Sequence, residues 1–343
     1  MEEREPFMKR CIELAQQGAG NVAPNPMVGC VIVYEGKIIG EGFHEKFGEP
    51  HAEVNAIKSV SNGALLPYST LYVNLEPCSH FGKTPPCADL IVEKKIPEVI
   101  IGCLDPNPLV AGEGVKKLQG AGCRLQVGVL GNESKGLNKR FITFHEKKRP
   151  YIILKWAQTR DGFIAPGDKS RVNISNEFSR TLAHRWRSEE AAIMIGRNTA
   201  MYDNPKLSAS LWNNHRPWRI VLDRKLRLPT GLNLFDHTSP TIVFTEKEKP
   251  PVMNLDFIRV GFENDLLKNI LVVLYKKQIQ SILVEGGAQL LQSFLNEGLW
   301  DEMRIFIAPS FLTVGVPAPK MSGNKISEED ICGDQLIIFE NKL

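Results

Sequence analysis

The chain has 343 residues, more than twice the roughly 150 of an average domain, so two domains are expected rather than one. Hydrophobic residues make up 43% and charged residues 24%, a globular balance that excludes a disordered or collagen-like chain. Basic residues number 42 and acidic residues 39, and this near balance lacks the basic excess with which proteins meet a nucleic-acid polyanion. No run approaches the roughly 18 apolar residues of a membrane-spanning helix. Met1-Glu2-Glu3-Arg4-Glu5 has neither the basic start nor the apolar stretch of a signal peptide, so a cytoplasmic protein is expected, with no membrane or nucleic-acid partner. An odd count of seven cysteines fits free thiols in a reducing compartment, and six of them precede Arg124.

Helical spacing of Phe7, Met8, Cys11, Ile12, Leu14 and Ala15 predicts a helix over residues 5–18, stopped by Gly18. Strands at Val28–Tyr34 and Lys37–Phe43 flank Glu35-Gly36 as a tight hairpin. A helix from Pro50 to about Val60, a strand at Thr70–Asn74, a helix near Pro86–Lys95 and a strand at Glu98–Gly102 follow. Their alternation is that of a layered α/β domain. The charged run His145-Glu146-Lys147-Lys148-Arg149 marks the boundary, which separates residues 1–147 from residues 148–343. Beyond it, Tyr151–Leu154, Ala191–Ile195, Arg219–Leu222, Thr241–Phe244 and Ser281–Val284 form a second α/β series, closed by a strand at Gln335–Phe339.

The strongest chemical signal lies in the first half. His51-Ala52-Glu53 opens a helix, and further along stand Pro77-Cys78 and, after eight intervening residues, Cys87. One imidazole and two thiolates suit zinc, and three protein ligands leave a fourth position for water, whose pKa the ion lowers to about 7. Glu53, two residues from the histidine, is placed to move a proton at that water. A structural zinc with His44, His80 or Cys30 as a fourth ligand is the competing reading, and simple burial of the two thiols another. Deaminases of nucleic-acid bases share His-x-Glu and Pro-Cys but space their cysteines by two residues. In the second half, Leu283-Val284-Glu285-Gly286-Gly287 ends a strand ahead of a helix built on Leu290, Leu291, Phe294 and Leu295. Such a turn either admits a phosphate at a helix N-terminus or is only a tight connection.

Asn25-Pro26-Met27-Val28-Gly29-Cys30, Gly48-Glu49-Pro50-His51-Ala52-Glu53, the segment from Leu75 through Cys87, and Asp105-Pro106-Asn107-Pro108 together resemble the deaminase half of the bifunctional riboflavin-biosynthesis deaminase/reductases. The long loop between the cysteines is that family's pattern. Arg149-Pro150-Tyr151, Lys155, Asp161-Gly162, Arg187, Gly196-Arg197-Asn198-Thr199, Asp203-Asn204-Pro205, Asp223 and Val284–Gly287 resemble its reductase half. The resemblance implies a cytidine-deaminase-like three-layer domain followed by a dihydrofolate-reductase-like domain. It implies zinc and NADPH as cofactors, and hydrolytic deamination of a phosphorylated diaminopyrimidinone followed by reduction of its ribosyl group to a ribityl chain. It places metal ligands at His51, Cys78 and Cys87 and the proton-handling carboxylate at Glu53. Substrate contacts of the first half fall at Asn25, His44, His80, Lys83, Asp105 and Asn107. In the second half it puts Ala157, Thr199, Asp203, Asp223, Gly286 and Gly287 at the cofactor, Arg187, Leu207 and Glu285 at the substrate, and a catalytic role on Asp203. A homo-oligomer is implied as well. The chain departs from the pattern at Arg171-Val172-Asn173, where the family carries Ser-x-Trp, and at Ser210, where it carries an arginine. A chain with a working deaminase and a degenerate reductase is the alternative these departures leave.

Overall fold

The computed structural model describes residues 3–79, 85–108, 111–168, 170–213 and 215–341. The chain divides into two compact units, Met1–Lys148 and Arg149–Leu343.

In the first unit, α1 (Glu5–Gln16) leads into β1 (Gly29–Tyr34), β2 (Lys37–Phe43), α2 (Ala52–Ser59), β3 (Thr70–Leu75), α3 (Cys87–Glu93) and β4 (Glu98–Cys103), then α4 (Glu113–Gly120), β5 (Arg124–Val127), α5 (Gly131–Leu137) and α6 (Lys139–Lys147). The sheet order is β2-β1-β3-β4-β5, with β1 antiparallel to both neighbours and β3, β4 and β5 parallel. Helix α1 ends at Gln16, two residues short of the predicted stop, and its Met8, Cys11 and Leu14 pack with Val31, Tyr72 and Ile100 on one face. Ala52, Ala56, Ala88, Ile91 and Leu118, from α2, α3 and α4, pack with Ile32, Val73 and Ile101 on the other. Both faces of the central strands are thereby covered, which is why β1 and β3 read as continuous apolar runs. Helix α2 lies hard against β2. A side chain at Gly42 would meet the Ala56 amide at 2.6 Å, so the missing Cβ sets how closely His51 and Glu53 approach the sheet.

The second unit runs β6 (Tyr151–Thr159), β7 (Phe163–Pro166), α7 (Glu177–Glu189), β8 (Ala192–Gly196), α8 (Arg197–Asp203), β9 (Trp218–Leu222), β10 (Thr241–Thr245) and β11 (Leu255–Arg259). It continues through α9 (Leu266–Lys276), β12 (Ser281–Val284), α10 (Ala288–Asn296), β13 (Glu302–Ala308), β14 (Gly315–Pro317), β15 (Asn324–Ile331) and β16 (Asp334–Glu340). Its nine-stranded sheet is ordered β11-β10-β9-β8-β12-β6-β13-β16-β15, parallel from β11 to β13 and antiparallel at the β13-β16 and β16-β15 pairs. After β6 the strands run outward through β8 to β11, and β12 then returns between β8 and β6. Open parallel sheets bind ligands in the crevice beyond the strand ends where the order reverses in this way.

The sequence reading has no element between Gly102 and Phe144, where the structure has two full helices more, a strand and a further short helix. Helix α4 buries only Gly114 and Leu118, and β5 is a partly exposed edge strand, so neither carries the apolar pattern by which an element is recognised.

Candidate active sites

His51 is the extended residue ahead of α2, at φ −74° and ψ 164°, which turns its ring off the helix start while Glu53 lies in the first helical turn. Cys78 follows the end of β3, and Cys87 begins α3 behind Pro86. Three segments far apart in sequence thus meet beyond the end of the sheet. The His51 Nδ1 lies 3.5 Å from the Cys78 Sγ and 3.4 Å from the Cys87 Sγ, and the three ligand atoms lie within 4.8 Å of one another. Zinc bonds of about 2.0–2.1 Å to nitrogen and 2.3 Å to sulfur in tetrahedral geometry put such atoms about 3.6 Å apart, so the donor set fits zinc in kind and in spacing. Among the described residues no fourth ligand joins this group. His44 is committed elsewhere: its Nδ1–H donates to the Pro50 carbonyl at 3.0 Å, and its Nε2 accepts from the Asn25 amide at 3.0 Å.

The Cys87 hydrogen bond, reinforced by His51, pulls Cys78 down to about 4, and the same contact together with burial pushes Cys87 well up. Burial also pushes the Glu53 carboxyl above its ordinary range, as the proton-carrying role asks of a carboxyl group. Asn25 and His44 stand beside this centre, the His44 ring edge-on to His51 with centroids 5.3 Å apart. Asp105 is buried and accepts from the Asn107 amide at 2.7 Å, and burial holds its carboxyl up at about 6. A cavity of about 580 Å³ lined by Leu104, Asp105, Leu130 and Lys135 among others opens beside it, and none of His51, Glu53, Cys78 and Cys87 lines it. His80 and Lys83 lie outside the described residues.

The second site forms at the carboxyl ends of the parallel strands. The Gly196 amide donates to the Gly286 carbonyl at 2.8 Å and the Glu285 amide to the Met194 carbonyl at 3.0 Å, which locks the end of β8 to the end of β12. Thr199 Oγ1 faces Gly286 and Gly287 across this seam. Arg187, near the end of α7, grips Glu285 with two hydrogen bonds of 2.6 Å, and its third nitrogen donates to the Ser208 carbonyl. Although burial opposes it, the guanidinium holds the Glu285 carboxyl below its usual range. Lys155, on β6, is half-buried near the pair, and desolvation lowers its ammonium pKa. His184 is pressed down to about 4 by burial and the Arg187 charge.

Asp223, just past β9, is buried and accepts from the Leu228 amide at 2.8 Å. Among the described residues its other oxygen has no hydrogen-bond partner, nor has the buried Nε of Arg197, with which it forms an ion pair at 3.9 Å. Asp203 closes α8, its carboxyl raised by burial against the pull of Arg171. Ala157 packs on the same face of β6 as Ile153 and beside Phe306. The Leu207 side chain is buried with Ile193, Ile195 and Val221. Ser210 meets the Ser208 hydroxyl at 3.2 Å, and Arg216 donates to the Thr238 carbonyl.

Residues that sequence reasoning passes over also shape these sites. Asn138 clasps both backbone groups of Met27, and Asn74 donates to the Met27 carbonyl while accepting from the Gly29 amide, which together hold the loop that presents Asn25. No local pattern marks them, because their partners lie up to 111 residues away.

Residues 1–103 match the family described as the cytidine and deoxycytidylate deaminase zinc-binding region, and residues 150–325 match the RibD C-terminal domain. The molecule is therefore a zinc-dependent hydrolytic deaminase joined to an oxidoreductase, with a cytidine-deaminase-like domain and a dihydrofolate-reductase-like one. It is 41% identical to the riboflavin biosynthesis protein RibD of Aquifex aeolicus, over 97% of both chains. A crystal structure of the Thermotoga maritima diaminohydroxyphosphoribosylaminopyrimidine deaminase/5-amino-6-(5-phosphoribosylamino)uracil reductase superposes with a TM-score of 0.90 at 37% identity, over 99% of both chains. Acinetobacter baumannii RibD superposes with a TM-score of 0.92 at 32% identity, covering 100% of this chain and 99% of that one. The chain belongs to the RibD family of riboflavin biosynthesis proteins.

Proposed function

We propose that the chain deaminates 2,5-diamino-6-ribosylamino-4(3H)-pyrimidinone 5′-phosphate and then reduces the ribosyl group of 5-amino-6-(5-phosphoribosylamino)uracil with NADPH. The first reaction belongs to residues 1–147 and the second to residues 148–343. The observation that carries this reading is the convergence of His51, Cys78 and Cys87 within 4.8 Å, with the buried Glu53 two residues from the histidine.

His51, Cys78 and Cys87 hold zinc, which when bound supplies Lewis acidity that activates water near neutral pH. Glu53 takes a proton from the attacking water and returns it to the departing amine; its raised carboxyl pKa brings the two protonation states closer in energy. Asn25 and His44, with His80 and Lys83, orient the substrate, and Asp105 and Asn107 read the donors and acceptors of its ring. In the second unit NADPH, when bound, supplies the hydride. The buried oxygen of Asp223 and the buried Nε of Arg197, ion-paired at 3.9 Å but without a hydrogen bond among the described residues, fit a ligand with its own donors and acceptors, as does the Thr199 hydroxyl facing Gly286 and Gly287. Ala157 lines the same crevice. Arg187 and Glu285 present a rigid ionic pair to the sugar phosphate, Leu207 contributes through its backbone, and Asp203 handles the proton that accompanies reduction. The enzyme works in the cytoplasm as a homo-oligomer.

The deciding experiment supplies the diaminopyrimidinone substrate with and without NADPH and follows ammonia release and nicotinamide absorbance separately. Ammonia is expected in both samples and NADPH consumption only after deamination. Ammonia without any NADPH oxidation would remove the second reaction, and no ammonia from the zinc-loaded protein would remove the first.

A further inference from the structure

Glu76 is buried and precedes Pro77-Cys78, and its carboxylate is taken up by backbone amides. Its own amide donates to the Cys103 carbonyl at 3.0 Å, extending the β3-β4 pairing by one residue, so its backbone is as fixed as the sheet. Its side chain then reaches three backbone amides on two separate segments. One carboxylate oxygen accepts from the Asp105 amide at 3.2 Å and the Gly112 amide at 3.0 Å, and the other accepts from the Val115 amide at 3.2 Å.

Gly112 occupies the cap position of α4 in a left-handed conformation, with φ at 79° and no side chain to satisfy the helix's first amides. The carboxylate of Glu76 serves as that cap from a distant part of the chain, and the helix N-terminus in turn favours its negative charge. The first turn of α4 is also seated on the metal-ligand segment: a side chain at Gly114 would stand 2.0 Å from the Pro77 carbonyl. A single carboxylate thus ties the strand end that leads into Cys78 to the start of the Asp105–Asn107 segment and to the helix that follows it.

We propose that Glu76 is the positioning residue that sets the register between the zinc-ligand segment and the substrate-reading segment of the deaminase. This inference rests on the assignment of Asp105 and Asn107 to the substrate. Charge-assisted hydrogen bonds to three amides fix Asp105 relative to Cys78 more tightly than chain connectivity alone. Glu76→Gln keeps the shape but exchanges one acceptor oxygen for an NH₂ group, leaving at least one of the three amides facing a donor.

The test compares wild type, Glu76→Gln and Glu76→Asp as full-length, zinc-loaded protein. The expected result for Glu76→Gln is a rise of about 10- to 100-fold in the deaminase KM, the size typical of lost supporting contacts, with kcat changed far less. Zinc per chain should stay at the wild-type value, an internal control for folding of the unit that carries Glu76, and the NADPH-dependent rate on the deaminated substrate should also be unchanged. Amide exchange should quicken over residues 104–116 and not over residues 52–59. Glu76→Asp, which keeps the charge but is one methylene too short to span all three amides, should give a smaller KM rise. An unchanged KM in both variants, or unchanged exchange over 104–116, overturns the proposal. So does loss of zinc in step with activity, which would make Glu76 a support of Cys78 alone. If Glu76→Gln does not fold, Glu76→Asp decides by the same readings. Wild-type protein that releases no ammonia would instead overturn the deaminase assignment itself.

Discussion

The two sites are built on opposite plans. The first gathers a few chemically demanding side chains, one imidazole and two thiols, from the start of α2, the end of β3 and the start of α3. The second is assembled mostly from backbone: the seam where β8 and β12 end, two glycines facing Thr199, and Asp223, one of whose oxygens meets Arg197 only at 3.9 Å. Its one strong side-chain feature, the Arg187–Glu285 pair, joins residues 98 positions apart. A metal centre tolerates few residue types, so its identity survives in the sequence; a strand-end crevice works with many, and its identity resides in the topology.

Removing a zinc ligand should separate the two plans most sharply. In Cys78→Ser or Cys87→Ser, zinc content and ammonia release should both collapse, while NADPH oxidation with the deaminated substrate persists. Metal analysis and the two assays on one sample would show this, and parallel loss of both activities would mean the units are not independent. Glu53→Gln comes next: zinc should stay bound while the deamination rate falls by about 10²- to 10⁴-fold, the usual worth of a general acid–base. Metal content measured beside kcat checks it.

In the second unit, Arg187→Ala leaves the Glu285 carboxylate buried without its partner, a loss of about 3–5 kcal/mol of stability for a buried pair broken on one side. Denaturant unfolding should show that loss together with failed reduction, and replacing both residues by apolar ones should recover stability without recovering activity. The smallest effect concerns pH. Burial raises Asp105 to about 6, so its carboxylate takes up a proton as pH falls through that value, well before an exposed aspartate would. The deaminase KM should therefore rise below about pH 6, and Asp105→Asn should flatten that profile while raising KM throughout.

Much of the fold was legible because the central strands are covered on both faces. Val31–Val33, Ile193–Ile195 and Ile282–Val284 are apolar without interruption, and the sequence reading places a strand at each. Strand β13 escaped it because Glu302 and Arg304 interrupt the apolar run. Both are buried, Arg304 donating to Glu302 at 2.5 Å, Tyr151 donating to Glu302 at 3.0 Å, and the Arg304 guanidinium stacked over Trp186. Charged residues imply exposure until partners from elsewhere in the chain are seen to neutralise them. Arg219 in β9 is a similar case, fully buried with bonds to Thr241, Asp236 and two carbonyls.

At the sites the division follows the same logic. His51, Glu53, Cys78 and Cys87 were nameable from spacing and chemistry, and Asn25, His44, Asp105 and Asn107 from their motifs. Glu76, Asn74 and Asn138 were not, since each acts on backbone groups that any residue type supplies. Composition and motif by themselves determined that this is a two-part α/β protein with a zinc-suited donor set and a resemblance that names its reactions. The tertiary structure alone decided which oxygens and amides meet, that the Glu76 carboxylate beside Cys78 accepts from the Asp105 amide, and that an Asp223 oxygen stands 3.9 Å from Arg197. Long-range partners and burial set those outcomes, and neither is written in any local stretch of chain.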